Sequence, residues 1–395
     1  MIESAIVAGA GLGGLTAAVA LARKGIHVDV YEQAGQPGEV GAGIQLSPNA
    51  MKILMQLGLG EKVAEAGSEP HSALIRHYRT GRTYLDLPLK AACRRHYGAP
   101  WFTIHRADLH AILVEAARGQ GVRVHFGHMA TGYAQDHSGI RLIFASEKSA
   151  KADILIASDG IESTIRGQML RTEAPDFTGH VVWRGVIAAD RLAPGSIDPA
   201  VTVWVGPRRH MVAYPLRGGK LVNVVAVEER RSWRDESRVQ KGNVGELRAA
   251  FGHWHSTVRA LAEAIDETTL WPLFDRRALP RWSDGRAVLI GDACHPMVPF
   301  MAQGAAMAIE DAEALIRAVA AHRSVEMAFQ AYETRRKPRA TMLQTLSRAN
   351  AGVFHFTGGV SDIAICAALR LASFLPHGRV FKPMDMVYGY DPAGI

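Results

Sequence analysis

The chain has 395 residues, of which 48% are hydrophobic and 21% charged, and it carries a formal net charge of +7. This is an ordinary globular composition, and the length allows two domains with a shared core. The Lys and Arg residues are scattered rather than arranged in stripes with aromatic residues. That distribution argues against a nucleic-acid partner and favours small anionic ligands.

The cysteines and the apolar runs bear on where the protein resides. Cys93, Cys294 and Cys366 are too few and too widely spaced for a disulfide framework or a metal cluster, so we expect no bound metal. No apolar run reaches membrane-spanning length. Met1 leads almost directly into the first apolar stretch, which leaves no room for a signal peptide. We therefore expect a cytoplasmic protein without an integral membrane segment.

The amino-terminal segment has the pattern of a dinucleotide-binding unit. Ile6-Val7-Ala8 runs into Gly9-Ala10-Gly11-Leu12-Gly13-Gly14, an Ala/Leu-rich stretch ends at Gly25, and Val28-Asp29-Val30-Tyr31-Glu32 follows. In such a unit Gly9 permits the turn, Gly11 lets the backbone approach a pyrophosphate, and Gly14 lets helix and strand pack closely. The phosphates lie at the helix amino terminus, and an acid in the position of Glu32 accepts a hydrogen bond from a ribose hydroxyl.

The residues that follow predict alternating helices and strands. A loop over 38–48 is rich in small residues, as expected where backbone lies close to a ligand, and a helix begins at Asn49. Strands are predicted near 74–87, 122–126, 140–144 and 153–157, with an amphipathic helix over 106–118.

Between about 176 and 270 the sequence becomes β-rich and predicts an antiparallel sheet. A buried strand at 287–290 and helices over 305–320 and 326–350 then return to the first pattern. The predicted fold class is α/β. A Rossmann-like domain of residues 1–70, 100–175 and 270–350 carries an inserted β-rich domain of residues 71–99 and 176–269, and a helical tail over 351–395 follows.

Two acidic turns follow predicted buried strands, at Asp159-Gly160 and at Gly291-Asp292. Ligands of open α/β sheets bind beyond the carboxyl ends of the strands, so these carboxylates could accept hydroxyls of a ribose or ribityl chain. The alternative is that each aspartate caps the next helix.

Three ordered motifs resemble the fingerprints of the single-component flavin-dependent aromatic hydroxylases. They are Gly9 to Gly14, Asp159-Gly160 with Ser163 and Arg166, and Gly291-Asp292-Ala293-Cys294-His295-Pro296 continuing to Gln303-Gly304-Ala305. The segments 104–110 and 271–311 and the tail Tyr388-Gly389-Tyr390-Asp391 are similar to the branch that includes 6-hydroxynicotinate, salicylate and 3-hydroxybenzoate hydroxylases.

The resemblance implies a Rossmann-like FAD-binding domain with an inserted substrate-binding domain. It also implies NAD(P)H as a transient co-substrate, O2, and a small aromatic acid that is hydroxylated by a C4a-hydroperoxyflavin, with or without loss of its carboxylate. The cofactor contacts it implies are Gly9, Gly11, Leu12, Gly14, Glu32, Gln33, Gln45, Arg106, Ala130, Asp159, Asp292, Gly304, Ala305 and Ala306. Asp159 and Arg166 would lie near the path of the nicotinamide. The amides of Gly304, Ala305 and Ala306 would stabilise negative charge on the reduced flavin.

The stretch His210-Met211-Val212-Ala213-Tyr214 supplies the candidate catalytic residues. In an extended strand His210 and Tyr214 face the same side and could project into one cavity. A neutral His can remove the phenolic proton of a substrate, and a Tyr can orient it. The alternative is a His and a Tyr that are satisfied at the sheet surface.

The remaining candidate substrate contacts lie in two loops. Pro299, Phe300 and Met301 are expected to form a dry wall beside the flavin and the substrate ring. Gln45 stands where the 6-hydroxynicotinate enzymes carry a His, and because Gln cannot take up a proton, the proton-handling role is expected to shift to His210 and Tyr214.

Three rival functions stay open at this point. One is a nicotinamide dehydrogenase that uses the glycine turn for NAD. Another is a flavin-binding protein with a structural or redox-sensing role. The third is a peripheral membrane hydroxylase of a larger quinone-like aromatic, favoured if residues 363–375 form an amphipathic helix. The oligomeric state is open as well, with a homodimer as one option.

Overall fold

The structure is a computed structural model that describes residues 2–36, 42–171, 175–233, 240–356 and 381–391, together with residues 367, 370 and 371. Three sequence predictions therefore fall wholly or mainly outside the described residues. They concern the start of the 38–48 loop, the thiol of Cys366 and the amphipathic segment 363–375.

Twenty strands and eleven helices are assigned within these described residues. The strands are β1 (Ser4–Ala8), β2 (His27–Tyr31), β3 (Gly43–Leu46), β4 (Ser72–His77), β5 (Thr83–Leu87), β6 (Phe102–His105), β7 (Arg123–His125), β8 (Ala130–Asp136), β9 (Gly139–Phe144), β10 (Ser149–Ala152), β11 (Ile154–Ala157), β12 (Asp176–Ala188), β13 (Ala200–Pro207), β14 (Arg209–Leu216), β15 (Leu221–Glu229), β16 (Gln240–Lys241), β17 (Thr269–Asp275), β18 (Ser283–Asp284), β19 (Ala287–Leu289) and β20 (His355–Phe356). The helices are α1 (Leu12–Ala22), α2 (Pro48–Gln56), α3 (Gly60–Ala66), α4 (Leu89–Tyr97), α5 (Arg106–Gly119), α6 (Thr164–Leu170), α7 (Val244–Phe251), α8 (Ser256–Ala264), α9 (Gly304–Ala321), α10 (Val325–Phe354) and α11 (Asp385–Tyr388).

A six-stranded sheet in the order β18-β19-β11-β1-β2-β7 forms the centre of the molecule. Strands β19, β11, β1, β2 and β7 run parallel, and β18 is an antiparallel edge. Every residue of β11 is buried, as expected for a parallel strand covered on both faces. Helix α1 packs against α5 and α9 beside this sheet. The predicted α/β fold with a Rossmann-like unit is confirmed.

A second, nine-stranded sheet takes its strands from three separate parts of the chain. Strands β16, β17, β12, β15, β14, β13, β4 and β5 lie in that order, and β20 also pairs with β13. The sheet is antiparallel except where β4 and β20 run parallel to β13. Strand β17 carries the sheet to Asp275, past the predicted limit of the inserted domain at residue 269. The domain limits themselves stay a proposal.

Two local predictions differ from the structure. Part of the predicted 38–48 loop is strand β3, which pairs antiparallel with β6. The tail predicted as helical from residue 351 is helical in its described stretches 351–354 and 382–388, but strand β20 interrupts it beside Gly206 and Pro207. Both strands form by pairing with distant segments, which a local pattern does not reveal. Among the described residues, no helix combines the length and apolarity needed to cross a membrane.

Candidate functional site

The glycine turn after β1 allows a very close approach of backbone to backbone. Gly9 has a φ of 101°, and a Cβ atom there would lie 2.3 Å from the carbonyl oxygen of Ser158. A Cβ on Gly14 would lie 2.2 Å from the carbonyl oxygen of Gly9. Side chains at these two positions would therefore push α1 away from the carboxyl ends of β1 and β11.

Gly11 differs from its neighbours because a Cβ there would meet no described atom within 4 Å. It is the N-cap of α1, and no side chain in the described part of the chain caps this helix. Glu32 lies beside the turn, where its Oε2 accepts the N–H of Ala10 at 2.8 Å. Open space, uncapped amides and a nearby carboxylate fit a dinucleotide, with phosphate at the amides and ribose at Glu32.

The other predicted contacts for the adenosine half surround this end of the sheet. Leu12 is buried at the start of α1, and Gln33 is exposed directly after Glu32. Ala130 begins β8, two residues after His128, whose N–H donates to the carbonyl of Glu32.

The start of α9 offers a second uncapped helix end. Its N-cap is Gln303, and none of the described side chains caps it. Gly304 and Ala305 face a cavity, whereas Ala306 is fully buried in the core. Asp292 is exposed in the turn after β19 and lines the same cavity. The backbone amides as donors and the Asp292 carboxylate as acceptor fit the pyrimidine edge and the ribityl hydroxyls of FAD.

The cavity has a volume of about 220 Å³ and lies between the nine-stranded sheet and the start of α9. It brings together nine of the predicted site residues. They are Gln45, Arg106, His210, Tyr214, Asp292, Pro299, Phe300, Gly304 and Ala305. Met301 is not among the residues that line the cavity, whereas Met297 is, and both side chains also pack against the main core.

Strand β14 presents His210, Val212 and Tyr214 to the cavity, as the two-residue period of a strand predicts. His210 is 2% exposed and Tyr214 is 3% exposed, so neither is a surface residue of the sheet. Burial lowers the pKa of His210 well below its usual value, and the nearby rings of His355 and His180 lower it further. Burial raises the pKa of the Tyr214 hydroxyl. Both side chains are therefore neutral near pH 7.

Close packing requires a glycine at position 43, and this requirement was not visible in the sequence. A Cβ on Gly43 would lie 2.7 Å from the Tyr214 ring and 2.9 Å from Cγ of Asn223. Asn223 pairs with Tyr214 across the sheet, and its Oδ1 accepts the N–H of Gly43 at 2.6 Å. The close fit of β3 against β14 and β15 places Gln45 at the cavity.

Arg184 is the main cavity residue that sequence reasoning missed. It lies on β12, and its Nε is buried with no hydrogen-bond partner among the described residues. Burial lowers the pKa of its guanidinium; Tyr214 opposes the shift, and Arg106 adds to it. A cation within the apolar run Val181-Val182-Trp183-Arg184-Gly185 was the available signal.

Asp159 and Arg166 make structural contacts away from this cavity. The Asp159 carboxylate accepts the N–H of Ile165 in the first turn of α6, as the helix-capping alternative predicts. Arg166 is buried and donates to the carbonyls of Ile161 and Ala293, so it ties α6 to the turn that holds Asp292. A role for either residue near NAD(P)H stays a prediction.

A buried ionic cluster connects α9 to α10. Glu310 and Asp311 on α9 and Arg336 on α10 have no exposed surface. Arg336 donates to Oε2 of Glu310 at 2.6 Å and to Oδ1 of Asp311 at 2.8 Å. Asp311 also accepts the N–H of Gly291. The cluster thereby fixes the start of α9 relative to the turn after β19.

Comparison with known proteins agrees with this geometry. A family model described as "FAD binding domain" matches residues 3–347. The 6-hydroxynicotinate 3-monooxygenase of Pseudomonas fluorescens is 41% identical over 350 residues, covering 87% of this chain and 90% of that protein. The 3-hydroxybenzoate 6-hydroxylase 1 of Aquipseudomonas alcaligenes is 36% identical over 395 residues, covering 99% and 98%. The crystal structure of Klebsiella pneumoniae HpxO complexed with FAD and uric acid has a TM-score of 0.84 at 29% identity, covering 97% of this chain and 95% of that one.

Proposed function

Because the chain belongs to the FAD-binding family of flavin-dependent aromatic monooxygenases, we propose that it hydroxylates a small phenolic or hydroxypyridine carboxylate with O2 and NAD(P)H. Membership of the family confirms the resemblance predicted from the sequence. It makes the protein an FAD-dependent enzyme that acts on aromatic rings. It gives no support to the alternative that the protein is a nicotinamide dehydrogenase.

The observation that carries the substrate class is the size and lining of the cavity. A cavity of about 150 Å³ accommodates benzene. Because Asp292, Gly304 and Ala305 line the same cavity and would hold the flavin, the volume of about 220 Å³ leaves room beside the flavin only for a small substrate such as one substituted ring. A larger quinone-like substrate has no such support.

The charge at the cavity favours an acid. Arg184 and Arg106 both line it, and Nε of Arg184 is buried without a hydrogen-bond partner among the described residues. A buried donor of this kind is costly unless a ligand satisfies it. A substrate carboxylate would satisfy it through a charge-assisted hydrogen bond.

The residues around the ring divide the remaining tasks. When bound, FAD supplies the redox chemistry that takes electrons from NAD(P)H and transfers one oxygen atom of O2 to the ring. His210 accepts the proton of the substrate hydroxyl in this proposal, which makes the ring more electron-rich. Tyr214 orients that hydroxyl. Pro299 and Phe300 exclude water from the reaction.

The test is a substrate panel with the FAD-loaded enzyme. We expect 6-hydroxynicotinate, salicylate or 3-hydroxybenzoate to stimulate NADH or NADPH oxidation, with matching O2 uptake and a hydroxylated product in the mass spectrum. Release of CO2 distinguishes decarboxylative hydroxylation from simple hydroxylation. Phenol and hydroxypyridine without a carboxylate are the matched controls and should stimulate weakly. FAD-loaded enzyme that none of the acids stimulates would refute the proposal.

A further inference from the structure

We propose that His355 and Glu229 connect His210 to solvent and form a proton relay that removes the proton of the substrate hydroxyl. The inference rests on the proposed function and adds two residues that act through His210 as positioning and relay groups. Neither residue lines the cavity, and the sequence motifs do not include them.

The relay is a continuous line of hydrogen bonds that leads out of the core. Nδ1 of His210 lies 2.8 Å from Nε2 of His355, and Nδ1 of His355 lies 2.9 Å from Oε1 of Glu229. His210 and His355 are 2% and 4% exposed, whereas the Glu229 side chain is 33% exposed. The line thus begins at the buried cavity and ends at a carboxylate that water can reach.

The two ends of the line determine the direction of each hydrogen bond. The Glu229 carboxylate is an acceptor, so His355 donates its Nδ1–H and keeps a lone pair on Nε2. His210 must then donate its Nδ1–H to that lone pair. Nε2 of His210 remains as the nitrogen that can accept a proton.

Charge explains why His210 needs such a relay. Burial lowers the pKa of His210 well below its usual value and that of His355 to about 4, so neither ring holds a second proton easily. Burial pulls the pKa of Glu229 upward, but the hydrogen bonds from His355 and Arg208 bring it below its usual value. A proton accepted at one end is therefore stable only if another leaves toward Glu229.

The proton balance is complete without any other reactant. The substrate O–H bond breaks and a proton binds to Nε2 of His210. The Nδ1 proton of His210 moves to Nε2 of His355, and the Nδ1 proton of His355 moves to Glu229, which releases it to water. The substrate becomes an anion beside Arg184, and both imidazoles stay neutral.

One neighbouring ring lies outside the relay. His180 on β12 contacts His355 with ring centroids 5.3 Å apart, but its Nδ1 donates to the carbonyl of Thr178. Ligand atoms of His180, Glu229 and His355 all lie within 4.8 Å of one another, which would also suit a metal ion. Both nitrogens of His355 are already hydrogen-bonded, and Arg208 donates to the other oxygen of Glu229, which favours the relay.

His355→Gln is the decisive variant, because a Gln can keep hydrogen bonds to both neighbours but cannot pass on a proton. The FAD-loaded, oxidised enzyme is mixed with 3-hydroxybenzoate or another active acid in a stopped-flow instrument, with a pH indicator to follow proton release. We expect release and kcat to slow by about 10²-fold, the usual contribution of a positioned proton acceptor, with KM nearly unchanged. The pH profile of kcat should shift upward, and Glu229→Gln should behave alike.

His180→Phe is the matched control and should retain the unaltered rate, because it keeps the ring contacts and every hydrogen bond of the relay. Normal proton release in His355→Gln would overturn the relay alone. Equal slowing in His180→Phe, with loss of activity on chelation and recovery with Zn²⁺, would replace the relay by a metal site. Unaltered enzyme that binds the acids but never hydroxylates them would refute the proposed function instead.

A measurement without turnover tests the relay separately. The imidazole nitrogen NMR spectrum of the FAD-loaded protein should show His210 and His355 both protonated at Nδ1. A His355 ring protonated only at Nε2 would break the line of hydrogen bonds and overturn the proposal.

Discussion

Arg336→Met should destabilise the protein strongly, because it removes the Arg336 cation from the buried ionic cluster between α9 and α10. The Met side chain fills much of the space of the Arg side chain but offers no donor. Glu310 keeps the two hydrogen bonds from Arg339, at 2.7 Å each, and one from Asn49. Among the described residues, Asp311 keeps its hydrogen bonds to His295 and to the N–H of Gly291. Asp311 therefore loses a larger share of its stabilising contacts than Glu310 does.

The size of the effect follows from the burial of the pair. Breaking a fully buried ion pair by removing one partner costs about 3–5 kcal/mol. Unfolding entropy scales to about 0.8 kcal/mol per kelvin for a chain of 395 residues. The expected fall in Tm is thus roughly 4–6 °C. Because α9 carries Gly304 and Ala305, FAD affinity should fall as well.

The destabilisation should depend on pH. Burial by itself would raise the pKa of Asp311, but His295 and Arg336 lower it from 3.8 to about 2. A lowered carboxyl pKa contributes stability that is present above the unfolded value and is lost as the pH falls through the folded value. The difference between Arg336→Met and the unaltered protein should therefore be full at neutral pH and should shrink below about pH 4.

Urea unfolding of the FAD-free and FAD-loaded proteins measures the free energy directly. The control is Arg317→Met, which removes a half-exposed ion pair with Glu313 on the same helix α9 and should cost about 0.5 kcal/mol or less. If Arg336→Met were no less stable than Arg317→Met, the assignment of the cluster as the anchor of α9 would be wrong.

Three further predictions concern the cofactor and the cavity. Arg184→Met should raise KM for the aromatic acid by about 10- to 100-fold, which corresponds to the loss of one charge-assisted hydrogen bond. KM for the analogue without a carboxylate should stay unchanged. Equal effects on both compounds would contradict the contact between Arg184 and the carboxylate. Tyr214→Phe should lower kcat by at least about tenfold while the protein stays yellow, and single-turnover product analysis checks this. Gly14→Ala should lose bound flavin, because its Cβ would lie 2.2 Å from the carbonyl oxygen of Gly9, and flavin absorbance after dialysis decides the point.

The nucleotide-binding end of the site could be predicted because its residues are close together in sequence. The turn from Gly9 to Gly14 and the acid Glu32 belong to one strand-helix-strand unit, and short-range backbone geometry determines where they lie. The same holds for His210 and Tyr214, since the two-residue period of one strand decides that they share a face. Such features depend on local conformation, so they could be derived from the sequence.

The positions of the other site residues depend on contacts between segments that are far apart in sequence. Arg184 reaches the cavity because β12 pairs with β15, and His355 meets His210 across 145 residues of chain. Met297 rather than Met301 lines the cavity, although both residues pack against the main core. These positions depend on strand pairing and side-chain packing over long separations, where many arrangements satisfy the same local pattern and only the complete set of tertiary contacts selects one.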